Sequence, residues 1–330
     1  MHAPLVVLGG GPGGYAAAFM AADLGMEVTL VEKDTRLGGT CLLRGCIPSK
    51  ALLHVGRVVA EVREMQDWGV HFSAPKIDID AVRDRKEKVI DALTGGLAQL
   101  AKRRNVKVVQ GQGMFTASNT LEVIQQDAGS QKITFDHCIL ASGSRPARIP
   151  AFDIGSSRVM DSTGALQLED IPESLLVVGG GYIGLEMGTV YAELGSRVSV
   201  VELTDSLLPG ADRDLVKPLH KRLGDLFEAI RLNTKVTGLK DNGNGVDVSF
   251  EGPEGQTTET FSRVLVAVGR RPNSDGIGLE NTNVVMDSKG FVEVDKQQRT
   301  ADSHVLAIGD VCGEPMLAHR ASHQGKVAVE

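Results

Sequence analysis

Two kinds of hydrophobic pattern alternate along the chain. Short unbroken apolar runs, as at residues 5–8 and 175–178, read as strands buried on both faces. Longer stretches with apolar positions three and four apart read as amphipathic helices. Residues 50–62 show this period, with apolar side chains at 52, 55, 59 and 62. Residues 83–104 show it too, and Ile90, Leu93, Leu97 and Leu100 are expected on one face. Residues 124–135 and 238–259 read as hairpins with polar turns. Alternating strands and helices predict an α/β fold with parallel sheets.

One pattern occurs twice. Residues 5–34 read LVVLGGGPGGYAAAFMAADLGMEVTLVEKD, and residues 175–204 read LLVVGGGYIGLEMGTVYAELGSRVSVVELT. A constant offset of 170 relates Gly9 to Gly179, Gly11 to Gly181, Gly14 to Gly184 and Glu32 to Glu202. Each copy is a strand, G-x-G-x-x-G, a helix and a second strand ending in glutamate. That is a dinucleotide-binding βαβ unit: the first glycine makes the tight turn, the second admits a pyrophosphate and the third lets helix pack on strand. The free N–H groups of the helix start meet the phosphates. The glutamate is placed to accept hydrogen bonds from a ribose. Two such units imply two dinucleotides and electron transfer between them. No arginine follows Glu202 in the ELTDSLL stretch, so the second site favours NAD over NADP.

Composition narrows the class. The 330 residues exceed one ordinary core, and 42% hydrophobic with 23% charged residues suits a soluble protein. A net charge of −7 disfavours nucleic acid as partner. No apolar run approaches the ~18 residues that span a bilayer, and a cytoplasmic location is expected.

The chemistry then concentrates on GGTCLLRGCIPSK, residues 38–50, which holds Cys41 and Cys46 among only four cysteines. A close pair in a reducing compartment is metal-binding or redox-active. No second Cys or His pair stands at zinc-site spacing, so no metal is expected. The pair lies beside the first nucleotide unit and near a helix start, where a thiolate is favoured. Cys138, in an apolar run, and Cys312 have no partner at useful spacing and are expected to be structural.

Together G-G-T-C-x4-C-I-P-S-K, ILASGSRP (139–146), VAVGRRPN (266–273), TADSHVLAIGDV (300–311) and PMLAHRASHQG (315–325) resemble the pyridine nucleotide–disulfide oxidoreductases, in the branch that oxidises dihydrolipoamide. The resemblance implies two Rossmann-like domains: an FAD domain of residues 1–147 and 271–330, the latter part also opening a central domain, and an NAD domain inserted at 148–270. It implies that Gly9, Gly11, Gly14, Glu32, Lys33, Thr40, Lys50, Gly113, Ser142, Gly143, Ser144 and Asp310 serve FAD. Met316, Leu317, Ala318 and His319 would do so at a helix start beneath the flavin, with His319 and His323 structural or capping. Gly179, Gly181, Tyr182, Ile183, Gly184, Glu186, Glu202, Val236 and Gly269 match its NAD-side positions. Cys46 would face the flavin, Cys41 would exchange with substrate, and Lys50 would pair with Glu186 near the ring.

The implied activity is oxidation of dihydrolipoamide, carried on the lipoyl domain of a 2-oxoacid dehydrogenase complex, by NAD through a Cys41–Cys46 disulfide and FAD. The alternatives are a mercuric or other disulfide reductase, and a non-catalytic FAD-binding scaffold. The family also carries a C-terminal interface domain that makes the homodimer and supplies a His–Glu thiol base. None of the eight histidines matches that motif. The expectation is therefore a shortened chain, weak in turnover by itself and exposing an apolar patch.

Overall fold

The computed structural model describes residues 1–125 and 129–330. In chain order the strands and helices begin β1 (His2–Leu8), α1 (Pro12–Asp23), β2 (Val28–Glu32), α2 (Gly39–Arg44), α3 (Cys46–Glu64) and α4 (Ile79–Arg103). Next come β3 (Lys107–Gln110), β4 (Gln112–Ala117), β5 (Thr120–Gln125), β6 (Gly129–Leu140), β7 (Ser144–Pro146), β8 (Val159–Met160) and α5 (Ser162–Gln167). Then follow β9 (Ser174–Val178), α6 (Tyr182–Leu194), β10 (Arg197–Val201), α7 (Arg213–Leu226), β11 (Ala229–Arg231) and β12 (Lys235–Asp241). The last are β13 (Val246–Gly252), β14 (Gly255–Phe261), β15 (Arg263–Val266), β16 (Arg270–Pro272), β17 (Val305–Ala307) and α8 (Ala318–Val329).

The chain forms two compact units. The first comprises Met1–Leu43, Ile90–Arg145 and Arg270–Glu330. Its sheet runs β3-β2-β1-β6, parallel throughout. The long β6 then serves two neighbours. Its first half pairs antiparallel with β5, and its last three residues pair parallel with β17. The hairpin expected at 124–135 is therefore β5–β6, with its tip outside the described residues. One core face holds Phe115, Leu121, Ile133 and Phe135, and the other Val7, Ala17, Leu30 and Ile139.

The second unit comprises Arg44–Val89 and Pro146–Gly269. Its sheet β11-β10-β9-β15-β8 is wholly parallel. β9 is buried at every position, as its unbroken apolar run requires. The antiparallel meander β12-β13-β14 contains the turns expected within 238–259.

The structure corrects two details. Residues 44–89 pack with the second unit, because α3 lies against α6, whereas chain order had placed them with the first. Along α4 the buried positions are Lys86, Ile90, Thr94 and Ala101, while Leu93 and Leu100 are exposed. Polar side chains that find partners displace leucines from the core face there: Lys86 Nζ donates to the Leu166 carbonyl at 2.7 Å, and Thr94 Oγ1 donates to the Asp91 carbonyl.

Candidate functional site

The two glycine-rich turns are built alike. Gly9 and Gly179 hold φ of +111° and +108°, open to glycine and strained for other residues. A Cβ on Gly179 would lie 2.5 Å from the Ala267 carbonyl, and one on Gly9 would strike the matching carbonyl of Ala141. A Cβ on Gly14 would strike the Gly9 carbonyl, and one on Gly184 that of Gly179. These contacts bring α1 and α6 close onto their strands. Their N-caps, Gly11 and Gly181, carry no side-chain cap, so no cap side chain takes up the first helical N–H groups. Around Gly181 the space where a Cβ would project is open.

The two glutamates make the same first contact. Gly10 N–H donates to Glu32 Oε2 at 2.6 Å, and Gly180 N–H donates to Glu202 Oε2 at 2.6 Å. The other oxygen of Glu32 accepts from Asp34 N–H, and that of Glu202 from the N–H and hydroxyl of Thr204. Each acid therefore shapes its own turn. Burial pushes the Glu32 carboxyl up, opposed by the backbone N–H groups of Asp34 and Gly10.

The first turn also receives the cysteine segment. Gly38 and Gly39 both have positive φ, and Gly38 N–H donates to the Gly10 carbonyl at 2.8 Å. A Cβ on Gly39 would lie 2.5 Å from Gly11 Cα. Only glycine permits that approach, which seats the start of α2, with Thr40 and Cys41, at the mouth of the first turn. α2 stops at Arg44, and α3 begins at Cys46 with Gly45 as its N-cap.

Other predicted FAD-side residues collect in the same unit. Ser142 Oγ is buried with no hydrogen-bond partner, an orphan that a ligand would satisfy. Gly143 has φ +72°. The Ser144 hydroxyl donates to Asp310 Oδ2 at 2.6 Å and accepts from Arg270 Nε at 2.8 Å, so it acts on Asp310. Gly113 packs beside Leu8, and Lys33 is exposed. Helix α8 crosses α1 closely: a Cβ on Gly325 would lie 2.7 Å from the Gly13 carbonyl, and Ser322 Oγ donates to the Pro12 carbonyl. Leu317 occupies the N-cap of α8 without a capping bond, after Met316 and before Ala318. His319 and His323 are exposed on that helix.

In the second unit Lys50 Nζ donates to Glu186 Oε1 at 2.8 Å. Ser49 Oγ lies 2.9 Å from Glu186 Oε2 and 3.1 Å from the Cys46 carbonyl. Tyr182 opens α6 and is 51% exposed, with Ile183 after it. Val236 is buried with Val248 and Phe250, so its side chain serves the core, and Gly269 has φ +118°. Ser49, Gly10, Gly180, Thr204 and Arg270 escaped sequence reasoning. The 170-residue repeat could have exposed Gly10 and Gly180, whereas nothing local marks the other three.

Both turns, by their glycine geometry and helix starts without a side-chain cap, fit a dinucleotide, and the orphaned Ser142 hydroxyl adds a donor at the first. Among the described residues no group of three or more His, Cys, Asp or Glu is placed to hold a metal ion, and no helix is long and apolar enough to cross a membrane.

The sequence profile described as pyridine nucleotide-disulphide oxidoreductase matches residues 3–325. The chain belongs to this family. Among curated members, the dihydrolipoyl dehydrogenase of Vibrio parahaemolyticus is 50% identical over 100% of this chain and 69% of its own length. That of Haemophilus influenzae is 48% identical, over 99% of this chain and 68% of its own. Solved structures agree. LpdA from Mycobacterium tuberculosis superposes with a TM-score of 0.90 at 27% identity, covering 99% of this chain and 72% of that one. The Cu(II) complex of the HOCl-induced flavoprotein disulfide reductase RclA from Escherichia coli gives 0.86 at 28%, over 99% and 70%. The expected α/β dinucleotide-binding fold is that of the family.

Proposed function

We propose that the chain is the flavoprotein oxidoreductase that takes two electrons from dihydrolipoamide to NAD+, a dihydrolipoyl dehydrogenase. The observation that carries this is the seating of Gly39 against Gly11, which puts the Cys41 helix at the mouth of the first dinucleotide turn. The identity of about half to curated dihydrolipoyl dehydrogenases supports the choice of dithiol over mercuric ion. The structure holds Cys41 and Cys46 as thiols; in the oxidised form, with the two joined as a disulfide, a thiolate of the substrate attacks the Cys41 sulfur. A mixed disulfide forms, and Cys46 leaves as a thiolate. The second substrate thiol attacks the mixed disulfide and closes the lipoamide ring, leaving Cys41 reduced. The chain has then gained two electrons, and the substrate has lost two electrons and two protons.

The first turn, with Gly9, Gly11, Gly14, Ser142 and Asp310, would hold FAD, and the second, with Gly179, Gly181 and Glu202, would hold NAD. FAD bound there would supply the two-electron chemistry that links the dithiol to hydride transfer to NAD+. Lys50, fixed by Glu186, places positive charge one turn into the helix that Cys46 opens. The start of α8, whose N-cap Leu317 makes no side-chain cap, would offer its partial positive charge to a flavin held in this unit. The lipoyl domain of a 2-oxoacid dehydrogenase complex, a homodimeric assembly and a cytoplasmic site of action complete the reading.

The test is optical. Anaerobic titration of the FAD-loaded chain with NADH should raise a long-wavelength thiolate–flavin charge-transfer band, absent in Cys46→Ser. A flavin that bleaches with no such band would mark a scaffold or inert cysteines.

A further inference from the structure

The Lys50–Glu186 pair has a weakness as an isolated contact. The Lys50 side chain is 60% exposed and that of Glu186 29%. Exposed ion pairs are screened by salt and hold their geometry poorly, because two long side chains must be ordered for little gain. What distinguishes this pair is the other oxygen of the carboxylate. Ser49, only 4% exposed, reaches Glu186 Oε2 at 2.9 Å while Lys50 takes Oε1. Consecutive residues of α3 thus grip both oxygens of one carboxylate on α6. The hydroxyl has a single proton and two acceptors in range, Glu186 Oε2 at 2.9 Å and the Cys46 carbonyl at 3.1 Å. The charged acceptor is the stronger of the two.

The helices hold that register elsewhere. Ser49 and Glu186 are 137 positions apart, and so are Gly56 and Glu193, two turns further along both helices. At that second point a Cβ on Gly56 would lie 3.1 Å from Glu193 Cβ, so the backbones approach closely. Arg63 then closes on Glu193 at 2.9 Å. The Ser49–Glu186 contact is therefore built into the packing of α3 on α6.

We propose that Ser49 is a positioning residue: its hydroxyl locks the Glu186 carboxylate, and through it the Lys50 ammonium, in one place on the turn of α3 that starts at Cys46. The inference rests on the proposed function for its catalytic meaning. The geometry of the lock does not depend on that function. Among the described residues Lys50 from α3 pairs with Glu186 from α6 on this turn, Arg44 ends α2 two residues before Cys46, and Arg63 and Glu193 are paired with each other. Freeing the carboxylate weakens its neutralisation of Lys50. The uncompensated ammonium, four residues along the helix, then favours the Cys46 thiolate.

The test reads the rate of Cys46 alkylation by iodoacetamide against pH, by peptide mass, in reduced chain carrying Cys41→Ser and without added flavin. Ser49→Ala should raise the rate at pH 7 about two- to threefold by moving the thiol titration to lower pH. Ser49→Thr, which keeps the hydroxyl, should restore the original profile. Glu186→Gln should shift the profile in the same direction, and Ser49→Ala added to it should change nothing more. An unchanged profile in Ser49→Ala, or effects that add in the double variant, would overturn the proposal even if melting temperature falls. The NADH titration described above stands apart: a missing charge-transfer band sinks the proposed reaction and leaves the alkylation cycle readable.

Discussion

Gly56 of α3 faces Glu193 of α6 so closely that a Cβ would sit 3.1 Å from the glutamate's own Cβ. The Glu193 carboxylate, 5% exposed, accepts from Arg63 Nη1 at 2.9 Å, and its carbonyl accepts from Arg63 Nη2. A glycine that costs helix propensity is thus used for approach, and the approach sets which residues meet two turns earlier.

Enlarging that glycine should be destabilising in proportion to its volume. Gly56→Ala gains up to about 1 kcal/mol of helix propensity and meets a contact only a few tenths of an ångström too tight. It should come out near neutral. Gly56→Leu should lose about 1–3 kcal/mol by overpacking. Urea unfolding followed by far-UV circular dichroism checks both. A Leu variant as stable as the parent would show that α3 does not depend on this approach.

Ser144 offers a separate test in the first unit. Its hydroxyl joins Asp310 Oδ2 to Arg270 Nε. Ser144→Ala strands a partly buried guanidinium donor and frees the carboxylate, a loss of about 1–3 kcal/mol. If Asp310 must be oriented to hold FAD, the dissociation constant should rise roughly tenfold for each 1.4 kcal/mol of that loss that reaches the ligand. Quenching of FAD fluorescence on titration with the flavin-free chain measures it. An unchanged constant would confine Ser144 to a structural role.

The two remaining cysteines should be silent. Cys138 is fully buried on β6, and burial pushes its thiol well above the ordinary range. Burial likewise pushes the Cys312 thiol up to about 12 from 9.0, with Arg320 lowering it and Asp310 raising it more weakly. The unfolded state, with an ordinary thiol, releases its proton first as pH rises. It then binds fewer protons than the folded state, so the contribution to stability is intact below pH 9.0 and falls from there toward about 12. Thiol counting with a coloured disulfide reagent at pH 8 should leave Cys138 and Cys312 unreacted until denaturant is added. Reaction of either in the folded chain would contradict this burial.

Much of the site was legible before any coordinates. The repeat at an offset of 170 announced two dinucleotide turns, since the spacing of their glycines is dictated by local backbone geometry. The cysteine pair was legible because two thiols five residues apart beside such a turn have few other uses. Less was legible along α4. Period alone put Leu93 and Leu100 on the core face, whereas Lys86 and Thr94 took it, because a hydrogen-bonded polar group can be buried where its partner happens to lie. The glutamates Glu32 and Glu202 were legible as acids at strand ends. That each also ties down its own turn through Gly10 or Gly180 was not.

By itself, then, the sequence determined what is local or repeated: the strands, the turns that need glycine, the thiols at a helix start, and with them the family. Only the tertiary structure decided which distant side chains meet at one group, as Ser49 and Lys50 share Glu186, and as Asp310 and Arg270 meet at the Ser144 hydroxyl. The reason is physical. Periodicity says which face of a helix is buried, but its register against another helix is set by where the two backbones can touch, and that depends on packing between residues far apart in the chain.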